Sequence, residues 1–360
     1  MSLIIKEAKI EVITMKALIY DAPGRKQWID KEKPKIIKST DAIVRITHTT
    51  ICGTDLHILK GDVPEVTAGR VLGHEGVGKI EKVGESVKNF KPGDHVLISC
   101  ITSCGSCENC KRQLYSHCAD GGWILGHLID GTQTEYVRIP HADNSLYLIP
   151  DNTTAEESMV MLSDIFPTGF EIGVLSGNVK PGDTITIIGA GPVGMAALLT
   201  AQLYSPTHII MVDNDAYRLK MAKTLGATHI INGKTENIIE RILEITNQVG
   251  VDVAIEAVGV PATFDLCQQV IAPGGHIANI GVHGKSVELH IEKLWIRNIV
   301  ISMGLVNTNT ISTLLKIIQS GKIKIGQLIT HRFALNDIIK AYDVFGNAAK
   351  EQALKVILSA

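Results

Sequence analysis

The sequence predicts an α/β protein that combines a mostly β domain with a doubly wound parallel sheet. From Lys16 to about Pro150 the chain consists of short apolar segments separated by Gly and Pro. From about Thr168 it alternates regularly between strand-length and helix-length apolar segments, which is typical of a parallel sheet covered by helices. A glycine pattern, G-x-G-x-x-G, stands where the first of these strands passes into a helix. The length of 360 residues favours two domains over one.

The first region, residues 1–165, is predicted to be an irregular β domain. Its strand candidates are "KALIY", "DAIVRITHT", "GVGKIEKVG", "DHVLIS" and "TEYVRI". Each is short and bounded by turn-forming residues.

The second region, residues 166–305, is predicted to form the parallel sheet. Its strand candidates are "DTITIIG", "HIIMVDND", "HIIN", "VDVAIEAVG", "GHIANIGV" and "NIVISMGL". The intervening helix candidates are "GPVGMAALLTAQLY", "AYRLKMAKTLGA", "ENIIERILEITN" and "TFDLCQQVI". Residues 306–360 contain two further helical segments and a closing strand, "ALKVIL", and we expect them to fold back onto the first domain.

The composition excludes several classes of function. Hydrophobic residues make up 45%, charged residues 20%, and the formal net charge is −2, so neither a nucleic acid nor a membrane is an expected partner. Apolar runs are too short for a membrane span. The first 14 residues carry alternating Lys and Glu and lack the apolar core of a secretory signal, which indicates a cytoplasmic protein; no function is assigned to them.

Five of the seven cysteines lie in one short stretch, "CITSCGSCENCKRQLYSHC", residues 100–118, and four of them are regularly spaced. Their spacing is C-x2-C-x2-C-x7-C, formed by Cys104, Cys107, Cys110 and Cys118. Because thiols stay reduced in the cytoplasm, a tetrahedral Zn²⁺ site is favoured over disulfides. Four thiolates leave no open position, so this zinc is predicted to be structural. A nucleic-acid-binding zinc ribbon is disfavoured because the loop's basic residues are few.

The sequence "GAGPVG" predicts a dinucleotide site. Gly189, Gly191 and Gly194 follow a predicted strand and open a predicted helix, with Pro192 and Val193 between them. Glycines here permit a tight turn and close approach of a pyrophosphate to the helix N-terminus. Asp213 ends the next strand, where a carboxylate accepts hydrogen bonds from the adenosine ribose; an ordinary turn residue is the alternative. Arg218 is placed near the ribose or phosphates, or on a solvated helix face.

The chain resembles the zinc-containing, medium-chain alcohol dehydrogenases. The pattern G-H-E-x2-G-x5-G-x2-V from Gly73 to Val87 resembles that family's signature, and the cysteine loop and glycine fingerprint follow in the family's order. The resemblance covers residue 15 to the C-terminus. It implies a GroES-like catalytic domain interrupted by a Rossmann domain, and it supports the zinc loop.

The resemblance also implies a second, catalytic zinc ion. Cys52 and His74 match two of the family's ligands, although their spacing alone does not place them together. The stretch "MLSDIFPTGFE" resembles the bacterial secondary-alcohol dehydrogenases and implies Asp164 as third ligand. Three protein ligands leave a fourth position for water or the substrate oxygen.

Further roles are implied by the same resemblance. Glu75 resembles a glutamate that acts as a transient ligand or adjusts the site. Thr54 and His57, in "CGTDLH", resemble a proton relay; a turn residue and a solvated helix residue are the alternatives. Trp123 resembles a tryptophan of the substrate pocket, with simple packing as its alternative.

The function expected from these residues is NAD-dependent oxidation of small secondary or primary alcohols, with two zinc ions per chain. A polyol or threonine dehydrogenase is the alternative within the superfamily, although those branches usually place glutamate where Asp164 stands. A zinc-bound nucleotide-binding protein without activity is the alternative from another class; the set Cys52, Thr54, His74 and Asp164 argues against it. Bacterial members of the branch are commonly tetramers, which implies a homotetramer here.

Overall fold

The computed structural model describes residues 13–150 and 156–360. Residues 1–12, most of the N-terminal segment to which the sequence assigns no function, lie outside the described residues, as do residues 151–155. The strands are β1 (Thr14–Ala22), β2 (Arg25–Glu32), β3 (Ala42–Thr50), β4 (Gly76–Val83), β5 (His95–Ile98), β6 (Tyr136–Ile139), β7 (Leu146–Leu148), β8 (Thr184–Ile188), β9 (His208–Asp213), β10 (His229–Asn232), β11 (Val251–Glu256), β12 (Ile271–Asn279), β13 (Val300–Met303), β14 (Ile329–Ala334) and β15 (Lys355–Ser359).

Helices connect and cover these strands. The α-helices are α1 (Gly53–Lys60), α2 (Glu108–Lys111), α3 (Ala142–Ser145), α4 (Glu156–Met159), α5 (Ile165–Thr168), α6 (Pro192–Ala201), α7 (Ala216–Thr224), α8 (Ile238–Ile245), α9 (Pro261–Val270), α10 (Ile291–Leu294), α11 (Ile311–Gln319), α12 (Ile338–Gly346) and α13 (Ala348–Glu351). A π-helical segment spans Gly169–Leu175, and 3₁₀ turns lie at Tyr115–His117, Val160–Leu162, Gln202–Tyr204, Trp295–Arg297, Ile325–Leu328 and Leu335–Asp337.

One sheet is entirely parallel, in the order β10-β9-β8-β11-β12-β13. Its central strands include continuous apolar runs such as "IIMV" in β9, because helices cover both faces of a parallel sheet. The strand order reverses beside β8, and the crevice at such a reversal is where doubly wound sheets bind ligands. This confirms the predicted α/β class with a Rossmann domain.

The second large sheet is mixed, in the order β14-β15-β3-β4-β5-β7, with β6 added against β3. Its strand β15 comes from the end of the chain and pairs antiparallel with β3, so that Ile357 stands opposite Thr50. The C-terminal segment therefore completes the sheet begun by the N-terminal segment. A separate antiparallel pair is formed by β1 and β2.

Three strands were not predicted. The sequence of β2, "RKQWIDKE", is mostly charged and pairs only with β1 in the described part of the chain. Strand β7 has three residues, and β14 is partly exposed at the edge of the mixed sheet. Edge strands need no apolar alternation, so their sequences carry little strand signal.

A shared hydrophobic core joins the two sheets. Phe166 and Leu162 are fully buried and pack with Met195 and Ala197 of α6 and with Val77 of β4. Among the described residues, no single helix is long and apolar enough to cross a membrane. The adjoining segments Glu156–Leu162 and Ile165–Leu175 reach such a length only when taken together, and they are bent by 42° where they meet.

Candidate active site and metal centres

Three distant parts of the chain bring Cys52, His74 and Asp164 together. Cys52 is the N-cap of α1, His74 immediately precedes Glu75 and strand β4, and Asp164 is the N-cap of α5. With Glu75 they form a group whose ligand atoms all lie within 4.8 Å of one another.

Local contacts position the first two residues. The backbone N–H of Cys52 donates to Asp55 Oδ2 at 2.9 Å, and Gln133 Nε2 donates to the same oxygen at 3.0 Å. Gly73, before His74, has φ +90°, and a Cβ there would lie 2.6 Å from Gln133 Cγ. A side chain at position 73 would therefore be strained and would displace the loop that carries His74.

The donor atoms have the separations that a tetrahedral zinc ion requires. Cys52 Sγ lies 3.6 Å from Asp164 Oδ2, and His74 Nε2 lies 3.2 Å from the same oxygen. With Zn–S near 2.3 Å and Zn–N and Zn–O near 2.1 Å, tetrahedral angles give separations of about 3.6 and about 3.4 Å. One thiol, one imidazole and one carboxylate thus fit a three-ligand zinc site.

The charges of these groups are strongly linked. Although burial opposes the change, hydrogen bonds with Asp164 and Cys52 raise the pKa of His74 well above its usual value. Burial likewise opposes ionisation of Asp164, but its hydrogen bond with His74 and the charge of that ring lower its pKa to about 2. Burial raises the pKa of Cys52. A metal ion would displace the protons of His74 and Cys52, as ligand binding requires.

Glu75 is tied to a fully buried lysine. Lys355 Nζ donates to both carboxylate oxygens of Glu75, at 2.7 and 3.0 Å, and each side chain is 1% exposed. Burial opposes the charge on Lys355, yet the charge of Glu75 raises its pKa. Burial raises the pKa of Glu75, and Lys355 opposes that shift. The pair directs the Glu75 carboxylate towards strand β15.

A small apolar cavity of about 160 Å³ opens onto His74 and Asp164. Thr54, His57 and Trp123 line it, together with residues that the sequence analysis did not assign: Val63, Cys100, Ile101, Val282, Leu305 and Val306. Burial raises the pKa of Cys100 well above the usual thiol value, which keeps it an apolar wall residue.

The proposed relay residues lie at this cavity. Thr54 Oγ1 is 3.7 Å from Cys52 Sγ. His57 has a 42% exposed side chain, and its Nδ1 lies 2.8 Å from Asp62 Oδ2. Trp123 stacks on His127 with ring centroids 4.4 Å apart and meets His74 edge-on at 6.5 Å. Trp123 therefore both packs and faces the cavity.

The cysteine loop forms a second, separate cluster. The sulfurs of Cys104, Cys107, Cys110 and Cys118 all lie within 4.8 Å of one another. Cys104 Sγ and Cys110 Sγ are 3.9 Å apart, close to the roughly 3.8 Å expected between two thiolates on one tetrahedral zinc. Despite desolvation, hydrogen bonds from Ser106 lower the pKa of Cys104 to about 6. The cluster thus fits a zinc with four thiolate ligands.

The glycine fingerprint lies beside a cavity of about 560 Å³ at the carboxyl ends of β8, β9 and β11. Gly189 has φ +107°, and a Cβ on Gly194 would lie 1.9 Å from Gly189 O, so both positions require glycine. Gly191 is the N-cap of α6. Pro192 and Val193 form the first turn of that helix and do not line the cavity.

Asp213 and Arg218 line the same cavity. Asp213 accepts hydrogen bonds from Ala190 N at 2.6 Å and Asp215 N at 2.8 Å, so it also supports the fingerprint loop. Arg218 Nε is buried, and among the described residues it has no hydrogen-bond partner. A buried, unpaired guanidinium nitrogen and the N-terminus of α6, which has no side-chain cap, fit an anionic dinucleotide.

Sequence reasoning missed several residues of the site. Lys355 lies in the apolar strand "LKVIL", where alternation gives no reason to expect a charge. Thr168 donates to Asp164 Oδ1 at 2.8 Å and orients that ligand. Its position one turn after Asp164 was a signal for this contact.

Comparison with known proteins places this geometry in a family. Residues 38–151 match the alcohol dehydrogenase GroES-like domain, and residues 192–320 match the zinc-binding dehydrogenase domain. The chain is 36% identical to an alcohol dehydrogenase from Cupriavidus necator, over 96% of this chain and 98% of the relative.

Solved structures agree with this result. The structure of "Zinc dependent alcohol dehydrogenase 2 from Streptococcus pneumonia" in its apo form has 56% identity and a TM-score of 0.91, covering 96% of this chain and 98% of that one. "Alcohol dehydrogenase TADH from Thermus sp. ATN1" has 33% identity and a TM-score of 0.89, covering 96% and 99%. The fold, the donor sets and these similarities show that the chain belongs to the zinc-containing alcohol dehydrogenase family.

Proposed function

We propose that the protein is a zinc-dependent dehydrogenase that transfers a hydride from a small, preferentially secondary, alcohol to NAD. The observation that supports this best is the open set of Cys52, His74 and Asp164 at the wall of a small apolar cavity. An apolar wall favours alcohols with a hydrocarbon body over polyols, whose further hydroxyls would lose their hydrogen bonds.

The two cavities lie on either side of contacting loops. Val258 and Val260 line the cavity beside the glycine fingerprint, here called the dinucleotide cavity. Val282 lines the small apolar cavity at His74 and Asp164, here called the metal cavity. Gly259 between the two valines approaches so closely that a Cβ would lie 2.4 Å from Val282 O. A nicotinamide ring extending from the fingerprint past these loops would meet the alcohol carbon at the metal cavity.

A zinc ion bound by Cys52, His74 and Asp164 would supply a Lewis acid that favours loss of the alcohol proton. Side chains of the protein would transfer the proton and exclude water. Thr54 at the cavity wall accepts that proton, and His57 passes it towards solvent with Asp62 as its partner. Apolar walls exclude water while the carbon loses its hydride. One alcohol and one NAD⁺ give one ketone or aldehyde, one NADH and one proton.

We propose NAD rather than NADP as cofactor because Asp213 would face a 2′-phosphate. Two unit charges about 4 Å apart repel by roughly 4 kcal/mol at an effective dielectric constant of 20. The same proposal includes two zinc ions per chain, Glu75 as a residue that adjusts the catalytic metal, and domain boundaries near residues 165 and 305.

Surface apolar residues and free thiols bear on the assembly and location of the protein. Exposed apolar side chains cluster on and before the edge strand β13, which supports a homo-oligomer; they are Val282, Val287, Leu289, Ile291, Trp295, Ile296, Val300 and Met303. We propose a homotetramer, which light scattering on the purified protein tests. All seven cysteines are free, in keeping with a reducing cytoplasm.

The test is a panel of primary alcohols, secondary alcohols, polyols and threonine, assayed with NAD and with NADP. We expect the highest kcat/KM with a small secondary alcohol and NAD, and a weaker NAD preference in Asp213→Ser. A higher kcat/KM with polyols or threonine would assign the protein to that alternative. Binding of NADH without turnover of any substrate would contradict the proposal.

A further inference from the structure

A buried glutamate that the reaction does not use lies close to the substrate cavity. Glu171 is 8% exposed and belongs to the π-helical segment Gly169–Leu175, seven residues after the metal ligand Asp164. Such π-helical turns are frequent at functional sites. Burying a carboxylate is costly unless its oxygens are hydrogen-bonded, so its partners indicate why it is there.

All four hydrogen bonds to this carboxylate come from one short segment. Asn307 N and Thr308 N donate to Oε2 at 3.0 and 3.1 Å. Thr310 donates to Oε1 through its N–H and its hydroxyl, each at 2.8 Å. The donors occupy both oxygens and belong to the segment that connects β13 to α11.

The backbone of this segment is strained. Thr308 has φ +62°, a conformation that β-branched residues rarely adopt and that persists only where surrounding contacts enforce it. Its N–H is bound by Glu171, and its hydroxyl lies 2.9 Å from Ser99 Oγ. Removing Glu171 would remove one of the contacts that enforce the conformation.

The two residues before the bound segment form a wall of the substrate cavity. Leu305 and Val306 line it with Cys100 and Ile101. Val306 packs in one apolar cluster with Cys100, Ile101 and Ile172, the residue after Glu171. The position of this wall therefore depends on the segment that Glu171 binds.

We propose that Glu171 is a positioning residue for the substrate cavity: by binding the backbone of Asn307, Thr308 and Thr310 it fixes Leu305 and Val306 against the bound alcohol. This role rests on the proposed function. Glu171 touches neither the reacting atoms nor the dinucleotide cavity, so it should affect alcohol recognition more than hydride transfer or cofactor binding.

The test compares Glu171→Gln with Glu157→Gln, the same change at a glutamate whose partner is the exposed Arg332. In Glu171→Gln one oxygen becomes an NH₂ group facing N–H donors. We expect KM for the alcohol to rise about tenfold, the scale of one hydrogen bond to a charged group, with kcat within about threefold. Selectivity between small and bulky alcohols should also change, while zinc content and the Kd of NADH stay as in wild type.

Amide hydrogen exchange gives a readout that does not depend on activity. Exchange within residues 305–310 should become faster in Glu171→Gln and stay at the wild-type rate in Glu157→Gln. Thr310→Val, which removes only the hydroxyl donor, should change KM in the same direction by a smaller factor and serves if Glu171→Gln folds poorly.

Amide exchange tests the positioning role of Glu171, and alcohol turnover by the wild type tests the proposed function. Unchanged exchange at residues 305–310 would overturn the positioning role whether or not the enzyme turns over alcohols. Faster exchange or a lower Tm with unchanged KM and selectivity would also overturn it, leaving a purely structural carboxylate. A wild type that oxidises no substrate in the panel would contradict the proposed function, and exchange would still decide whether Glu171 fixes this wall.

Discussion

The two candidate metal-binding clusters are built in opposite ways. Cys104 to Cys118 lie within 15 residues and their four ligands are all thiols, so a metal there would cross-link one loop to itself. Cys52, His74 and Asp164 span 113 residues, come from three elements and have three different donor types. The four thiols would complete a tetrahedral site, whereas the other three ligands would leave a coordination position facing a cavity.

The groups around the two clusters also differ, since one set of partners is local in the chain and the other includes a distant residue. The loop cluster lowers the pKa of Cys104 through hydrogen bonds from its own neighbours. The other cluster is buried beside the ion pair between Glu75, which follows His74, and Lys355 of the distant strand β15. Local sequence therefore suffices to assemble the four-cysteine cluster, whereas the proposed catalytic cluster requires the assembled fold.

Loss of the open site should have the largest effect. Cys52→Ser replaces a thiolate ligand, and we expect kcat/KM to fall by at least about 10³-fold because metal catalysis is worth several kcal/mol. The variant should contain one zinc per chain, by metal analysis, and should still fold and bind NADH. Full activity with one zinc would mean that the cluster of Cys52, His74 and Asp164 is not the catalytic one.

Loss of the closed site should act on stability instead. Cys107→Ser leaves three thiolates, and we expect Tm to fall by more than about 5 °C because metal binding contributes directly to folding. The kcat per folded, assembled chain should stay within about threefold of wild type. A stable, assembled Cys107→Ser variant without turnover would make the cysteine cluster catalytic.

Features built from neighbouring residues could be predicted from the sequence, whereas contacts between distant residues could not. The spacing of Cys104, Cys107, Cys110 and Cys118 is a local signal, and so is the glycine fingerprint in its strand and helix context. Asp164 could be assigned only through resemblance, because nothing in "LSDIF" connects it to Cys52. Lys355 was missed because its partner Glu75 is 280 residues away in the chain.

A further prediction concerns proton transfer from the alcohol through Thr54, which lines the cavity at the proposed catalytic cluster. Thr54→Val keeps the size and removes the hydroxyl, and positioned proton transfer is worth about 10²–10⁴ in rate. We expect oxidation near neutral pH to slow by at least about tenfold, with zinc content and Tm as in wild type. Thr224→Val, which removes a hydroxyl from an exposed helix position, is the control. Full activity in Thr54→Val would mean that the proton leaves by another route.

The smallest effect is expected from a contact that links the cysteine loop to the cavity beside the proposed catalytic cluster. Ser116, between Cys110 and Cys118, donates through its hydroxyl to Asn307 Oδ1 at 2.7 Å and through its N–H at 3.1 Å. The backbone N–H of Asn307 also donates to Glu171, so the cysteine loop and that glutamate hold the same residue beside the cavity wall.

Ser116→Ala should leave the zinc content unchanged and remove one of these two hydrogen bonds. One neutral hydrogen bond is worth about 1 kcal/mol, and the remaining N–H contact retains part of it, so we expect KM for the alcohol to rise only about two- to threefold. Ser320→Ala, at the exposed end of α11, is the matched control. A KM equal to that of the control would make the closed cluster purely a stabiliser of its own loop. A higher KM with unchanged zinc content and Tm would show that the cysteine loop helps to position the wall of the cavity beside the proposed catalytic cluster.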